Sequence, residues 1–315
     1  MAFETPTVSY TGKIKEIPLG QEGKTVTVGG ESCYPFHLFE GEMGHSPVIA
    51  MEIYDSEPEE WPDTALAPFA DVVHDSVAWA RKCIDVYGAE IIALQLVSID
   101  PNGQNRPADE AAEIAKKVSD AVETPLIVWG CANADKDTEV LRAVCEACDG
   151  KNLIIGPVDE KNYRAIGATA IGYKHTLVAS SPIDINLAKQ LNILMGNLNV
   201  PDNRIIIDPS VGSLGYGLEY CYSVVERMRN AAFTQDDERL QFPIFVNIAK
   251  EVWKTKEVRV SESEDPLLGD QAKRGILMEA LTAQCMLLAG ANILVMRHPE
   301  AIKLVKQAIK DLMTR

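Results

Sequence analysis

The sequence is short of almost every feature that announces a catalyst. It contains no H-E-x-x-H, no G-x-S-x-G, no P-loop and no dinucleotide fingerprint, so the chemistries that rest on those motifs have nothing to stand on. It has no apolar run of membrane length. The longest, within 280–296, is interrupted by Gln284, Gly290 and Asn292 and divides into a helix end and a strand, which predicts no membrane span. The opening MAFETPTVSY has neither a basic start nor an apolar core, so no signal peptide is expected. The seven cysteines are odd in number and scattered, which predicts reduced thiols and a cytoplasmic protein. Basic residues are outnumbered 30 to 46, for a net charge of −16. An acidic surface repels phosphate backbones, so nucleic acid is not an expected partner.

What is present is ordinary globular material: 315 residues, 46% apolar and 24% charged. That is long for one average domain, but α/β barrels reach about 250 residues as a single unit. Residues 1–45 differ from the rest. Thr11–Ile17 and Lys24–Val28 alternate apolar and polar residues on either side of Gly20–Gly23, a hairpin pattern. This stretch is expected to be a β-rich arm packed against the main body.

Residues 46–315 carry a simple rhythm. Eight apolar runs, at Val48–Ile53, Ile91–Val97, Leu126–Trp129, Leu153–Ile155, Thr176–Ala179, Arg204–Ile207, Ile244–Val246 and Ile293–Met296, alternate with amphipathic segments near 73–87, 108–122, 136–148, 160–168, 184–198, 217–232, 269–289 and 299–313. Runs without polar alternation suit strands buried on both faces of a parallel sheet. Pro107 with Asp109 and Glu110, Asp184, and Pro299 with Glu300 mark helix starts. Eight strand–helix pairs in succession predict a (β/α)8 TIM barrel, with an open doubly wound sheet as the alternative.

Such barrels work at the C-terminal ends of their strands. Here the runs lead into polar residues: Glu52 and Asp55, Gln95, Ser98 and Asp100, Cys131 and Asn133, Ser180 and Ser181, Asp208 and Ser210, Asn247, then Arg297 and His298. They line a shared mouth, or they are polar because loops are wet. The most specific segment is Asp208-Pro-Ser-Val-Gly-Ser-Leu-Gly-Tyr-Gly217. Gly212, Gly215 and Gly217 admit a close backbone approach to a flat or anionic ligand, or simply close a tight turn. His298 alone among the histidines stands where proton transfer is feasible, and no nucleophile–base pair is legible. From Lys250 to about Leu268 no element is evident. Lys250, Trp253, Lys254, Lys256 and Arg259 cluster there, and loops beyond roughly 12–15 residues are often functional. The loop at 54–70 carries Trp61 among acidic residues. Cys145 and Cys148 form a C-x-x-C pair inside a helical segment, where a structural role outweighs a redox or metal one.

The order of these features resembles the small (delta) subunits of corrinoid iron–sulfur proteins and acetyl-CoA decarbonylase/synthase complexes. The resemblance runs through MEIYD at 51–55, DPSVGSLGYG at 208–217 and VMRHPE at 295–300. The Asp208 loop is also similar to that of dihydropteroate synthase-like barrels, which include pterin-dependent methyltransferases. The first resemblance implies a Wood–Ljungdahl pathway subunit that pairs, as a heterodimer, with a large subunit holding a [4Fe-4S] cluster and a corrinoid (cobalamin). The barrel mouth would cover that corrinoid. The methyl group would arrive through a methyltetrahydrofolate methyltransferase and leave to carbon monoxide dehydrogenase/acetyl-CoA synthase. The chain has no D-x-H-x-x-G corrinoid motif and no cluster ligands, so neither an iron–sulfur cluster nor a metal site is expected in it. A polar mouth without a catalytic pair fits a lid better than an enzyme. Barrel geometry selects Asp208, Ser210, Gly212, Gly215, Asn247, Arg297 and His298 to face the corrinoid, and Trp61, Trp253 and Lys254 to face the partner. The alternative function is a methyltetrahydrofolate methyltransferase, with Asp208 and Asn247 on the pterin.

Overall fold

A computed structural model describes residues 6–210 and 217–314. The first described elements are β1 (Ile17–Leu19) and β2 (Val26–Val28), paired antiparallel. The barrel strands follow as β3 (Val48–Tyr54), β4 (Ile91–Gln95), β5 (Leu126–Trp129), β6 (Ile154–Val158), β7 (Thr176–Ser180), β8 (Ile205–Asp208), β9 (Phe245–Asn247) and β10 (Ile293–Met296). All neighbours pair in parallel in the order β8-β7-β6-β5-β4-β3-β10-β9. A parallel bridge from Ile207 to Ile244 brings β8 against β9, so the sheet closes on itself. All eight expected runs are strands, displaced by at most a few residues at their ends.

The helices between strands are α1 (Asp63–Leu66) and α2 (Ser76–Asp85), α3 (Ala108–Ala121), α4 (Ala134–Ala147), α5 (Tyr163–Gly172), α6 (Ile185–Asn197), α7 (Leu218–Thr234), α8 (Ala249–Trp253), α9 (Lys256–Arg259), α10 (Gln271–Ala289) and α11 (Pro299–Leu312). Their starts are chemically marked. Asp75, Asn133, Asp184 and Asp270 each accept a backbone N–H from the first turn they precede, which satisfies donors that a helix cannot pair internally. The 250–268 stretch differs from expectation. It folds into α8, α9 and a short 3-10 turn, because Val252, Trp253 and Val258 are buried there.

Two cores result from the period-2 alternation of buried strands. Outward residues such as Met51, Leu94, Val128, Ile155, Leu177, Ile207 and Met296 pack under the helices. Inward residues Val48, Ala50, Ile91, Ala93, Ile127, Ile154, Val178, Ile206, Phe245, Ile293 and Val295 fill the barrel. Ile17, Leu19 and Val28 of the β1–β2 hairpin join this inner cluster, so the arm plugs the barrel at the end where its strands begin. A buried polar latch holds the arm: Glu31 meets Asn292, which also accepts from Arg229, and Arg229 donates to the Gly290 and Phe242 carbonyls. The hairpin strands start later than the alternation predicted, at Ile17 and Val26. The preceding segment instead pairs with loop backbone at Glu31 and Gln241.

Candidate functional site: the polar layer at the barrel mouth

Carrying the inward alternation two residues further along each strand reaches Glu52, Gln95, Trp129, Gly156, Ser180, Asp208, Asn247 and Arg297. The interior therefore changes from wholly apolar to mostly polar within one layer, at the C-terminal ends of the strands. Glu52, Gln95, Ser180, Asp208 and Arg297 are all buried. Trp129 forms an aromatic floor beside them. Its ring stacks on Phe245 with centroids 4.9 Å apart. Gly156 makes room for that ring, since a Cβ there would stand 2.6 Å from the indole.

One half of the layer is organised by Arg297. Its Nε donates to Glu52 at 2.7 Å, an Nη donates to the Tyr54 hydroxyl at 3.2 Å, and the guanidinium lies 3.7 Å from the Trp61 ring centroid. Burial, the main cause, pushes the Tyr54 hydroxyl up to about 12. Beneath Arg297 sits Glu279 of α10, fully buried. It accepts the backbone N–H groups of Arg297 and His298 and the Trp253 indole N–H, the last two at 3.0 Å each. Burial pushes its carboxyl up to about 7, against the opposing pull of those donors. Glu279 escaped the sequence reading, although a signal existed: it is the single charged residue between Gly275 and Met296. A lone carboxylate in an apolar run marks a buried acceptor.

The other half centres on Asp208. It accepts from Ser180 Oγ at 2.8 Å and from the Ser210 backbone at 2.9 Å. Burial foremost raises its carboxyl to about 6. Ser210 holds a φ of 54°, in the left-handed region that most side chains avoid. Four buried polar atoms around the mouth have no hydrogen-bond partner among the described residues: Glu52 Oε1, Gln95 Nε2, Ser181 Oγ and Asn247 Oδ1. Natural interiors rarely leave such atoms unpaired, and these four are available to a polar group seated at the mouth. A cavity of about 460 Å³ adjoins the layer, lined by Tyr54, Trp61, Lys250, Lys254, Arg259 and Arg297.

The selected residues sort unevenly. Asp208, Ser210, Asn247 and Arg297 gather at the mouth. Gly212 and Gly215 lie outside the described residues. His298 is a correction: its Nδ1 accepts the Glu300 N–H at 3.2 Å, capping α11, its ring stacks on Trp253, and the Thr64 backbone engages it as well. Its Nδ1 is occupied by the fold, and burial foremost holds the imidazole below its ordinary range. Trp253 is a second correction. It is 1% exposed, so its ring fills the chain's own interior and offers no surface to a partner. Lys254 is exposed and pairs with Glu251. Trp61 is half-buried over Arg297. Cys145 and Cys148 are buried, with burial pushing their thiols up to about 12 and 11. His175 is a core residue bonded to Leu153 and Cys145 backbone. No cluster of three or more His, Cys, Asp or Glu is placed to hold a metal ion among the described residues. No helix among them is long and apolar enough to cross a membrane.

A closed (β/α)8 barrel whose interior turns polar only at the strand ends defines a class, and solved dihydropteroate synthases share its fold. The Vibrio fischeri enzyme superposes with a TM-score of 0.58 at 13% identity, covering 95% of this chain and 99% of that one. The Coxiella burnetii enzyme, solved with pteroic acid, gives 0.57 at 14% identity over 95% and 100%. Sequence narrows the class. Residues 16–313 match the family model described as CO dehydrogenase/acetyl-CoA synthase delta subunit, and the chain belongs to that family. Curated relatives include acetyl-CoA decarbonylase/synthase complex subunit delta of Archaeoglobus fulgidus, 32% identical over 98% of this chain and 71% of its own length. Subunit delta 1 of Methanosarcina thermophila is 34% identical over 96% and 71%.

Proposed function

We propose that this chain serves as the small subunit of a methyl-carrying complex, with its barrel mouth covering a corrinoid held by a large, [4Fe-4S]-bearing subunit. The complex would exchange methyl groups with a methyltetrahydrofolate methyltransferase and with carbon monoxide dehydrogenase/acetyl-CoA synthase. The names of the relatives, each a subunit of an acetyl-CoA decarbonylase/synthase complex, support assembly with such partners.

The observation that carries the reading is the set of unpartnered buried polar atoms at the mouth. A corrin ring is broad, flat and rimmed with amides, which both donate and accept. Gln95 Nε2 and the Ser181 hydroxyl suit amide carbonyls. Asn247 Oδ1 and Glu52 Oε1 suit amide N–H groups. Trp129 supplies an apolar surface under the opening. These residues therefore fit the group, and bound there it would supply a cobalt centre for methyl exchange. The chain's own residues would exclude water from that centre and fix its orientation. Among the described residues they hold no nucleophile–base pair, and Asp208 is occupied by Ser180 and Ser210.

The test replaces Gln95 and Asn247 together by Leu and measures affinity for the corrinoid-loaded large subunit, with the visible spectrum recorded in parallel. Two hydrogen bonds at about 1 kcal/mol each predict roughly a tenfold or greater loss of affinity and shifted corrinoid bands. Unchanged affinity and spectrum would remove the mouth from the corrinoid.

A second reading has its own support. A carboxylate as deeply buried as Asp208, beside a free acceptor on Asn247, also suits the N–H edge of a pterin. In that case the isolated chain would itself bind methyltetrahydrofolate, and Asp208→Asn would abolish the binding. Absence of binding by calorimetry rejects this reading and leaves the first intact.

A further inference from the structure

We infer that a pocket beside the mouth, between α6 and the loop leading into α5, seats one uncharged amide arm of the ring that the mouth covers. The inference rests on the corrinoid reading above and adds to it a place and a selectivity. The pocket has a volume of about 260 Å³. Cavities that hold a whole organic ligand run from about 300 to 1,000 Å³, so this one suits a projecting arm of something larger. Ser180 and Ser181, at the end of β7, form part of its wall. Ser180 also donates to Asp208 at 2.8 Å, so the pocket abuts the polar layer.

The walls define the stem of that arm and its head. Leu187, Leu191 and Leu194 recur at helical spacing along one face of α6 and make one side of the pocket aliphatic. No aromatic ring lines it among the described residues, which favours a methylene stem over a stacked ring. A buried polar group is left open there. Ser181 is 3% exposed, and its Oγ has no hydrogen-bond partner among the described residues. A hydroxyl both donates and accepts, as a primary amide does, and burying it unpaired is costly.

Charge discriminates against the acid form of the same arm. Asp159 and Glu160 stand at the pocket with one cation, Lys161, on a molecule that carries −16. A carboxylate or phosphate entering there would lose hydration and meet like charge. A neutral amide meets neither penalty. Leu187, at the lip, is 38% exposed, and a methylene stem passing over it would remove apolar surface from water. A crevice that merely holds water would not distinguish an amide arm from an acid one.

The test measures the affinity of the full chain for the large subunit loaded with cobalamin, or with corrinoids in which one propionamide at a time has been hydrolysed to propionate. Ser181→Ala should weaken binding to the cobalamin-loaded partner about fivefold, the loss of one hydrogen bond of about 1 kcal/mol. It removes an unpaired buried hydroxyl, so its thermal midpoint should match or exceed the wild type. Leu187→Trp, which fills the lip from a partly exposed position, should weaken binding as well. With the wild-type chain one hydrolysed form should bind about tenfold more weakly, and the others should match cobalamin. Against that one form Ser181→Ala should cost nothing further, because the arm is no longer seated. Wild-type affinity for Ser181→Ala, or hydrolysed forms that all bind alike, would overturn the inference. The Gln95→Leu/Asn247→Leu variant separates the two levels. If it binds weakly while the Ser181 and hydrolysis results are flat, the arm pocket alone falls. If it too binds at wild-type affinity, the corrinoid reading falls and takes the pocket with it.

Discussion

Arg297 gives the sharpest test of how the mouth is built. The perturbation is Arg297→Met, which keeps much of the stem and removes the charge. In the folded chain Arg297 is 2% exposed and Glu52 is 0% exposed, at 2.7 Å from each other. Removing the cation leaves Glu52 buried beside an apolar side chain, with one oxygen already unpartnered. Breaking a buried pair in this way costs about 3–5 kcal/mol. A chain of 315 residues unfolds with an entropy near 0.66 kcal/mol/K, at about 2.1 cal/mol/K per residue. The expected fall in thermal midpoint is therefore about 5–8 °C. The double variant Glu52→Gln/Arg297→Met removes both charges and should recover most of the loss, because a buried pair replaced as a unit is close to neutral. Calorimetry on wild type, both single variants and the double variant closes the cycle. A coupling of about 2 kcal/mol or more is expected. A midpoint change below about 2 °C for Arg297→Met, or strictly additive losses, would show that water or another cation compensates Glu52 and that Arg297 does not organise the layer.

Two further outcomes follow from the same geometry. Burial raises Glu279 from 4.5 to about 7 and Asp208 from 3.8 to about 6. Between those limits the folded chain holds protons that the unfolded chain has lost, so these groups stabilise fully below about pH 4 and their contribution disappears as pH rises to about 7. The buried His175 and His298, held low by burial, act in the opposite sense. The clean measurement is accordingly the difference in thermal midpoint between wild type and Glu279→Gln, which should shrink from pH 5 to pH 7.5; a flat difference would mean that Glu279 does not titrate in this range. Gly156→Ala places a methyl group 2.6 Å from the Trp129 ring, which is itself stacked on Phe245. It should cost about 1–3 kcal/mol and alter near-ultraviolet circular dichroism, whereas an unchanged aromatic spectrum would show that the floor yields freely.

The sequence alone determined the barrel, because its signals are local and repeated. Eight apolar runs of strand length, each followed by an amphipathic segment and most of these with an Asp, Asn or Pro at the start, leave few other ways to bury the same side chains. It also located the mouth, since Glu52, Gln95, Ser180, Asp208, Asn247 and Arg297 each stand where an apolar run ends. What it did not determine was which polar residue answers which. Glu52 and Arg297 are 245 residues apart, and only closure of the sheet between β3 and β10 brings them together. Trp253 looked like a surface aromatic because its neighbours are charged, yet the acceptor that buries its indole, Glu279, comes from a different helix 26 residues later. His298 looked available for proton transfer until the turn into α11 engaged its Nδ1. Local chemistry sets the elements and their inward and outward faces; the pairing of distant polar groups is a property of the closed barrel.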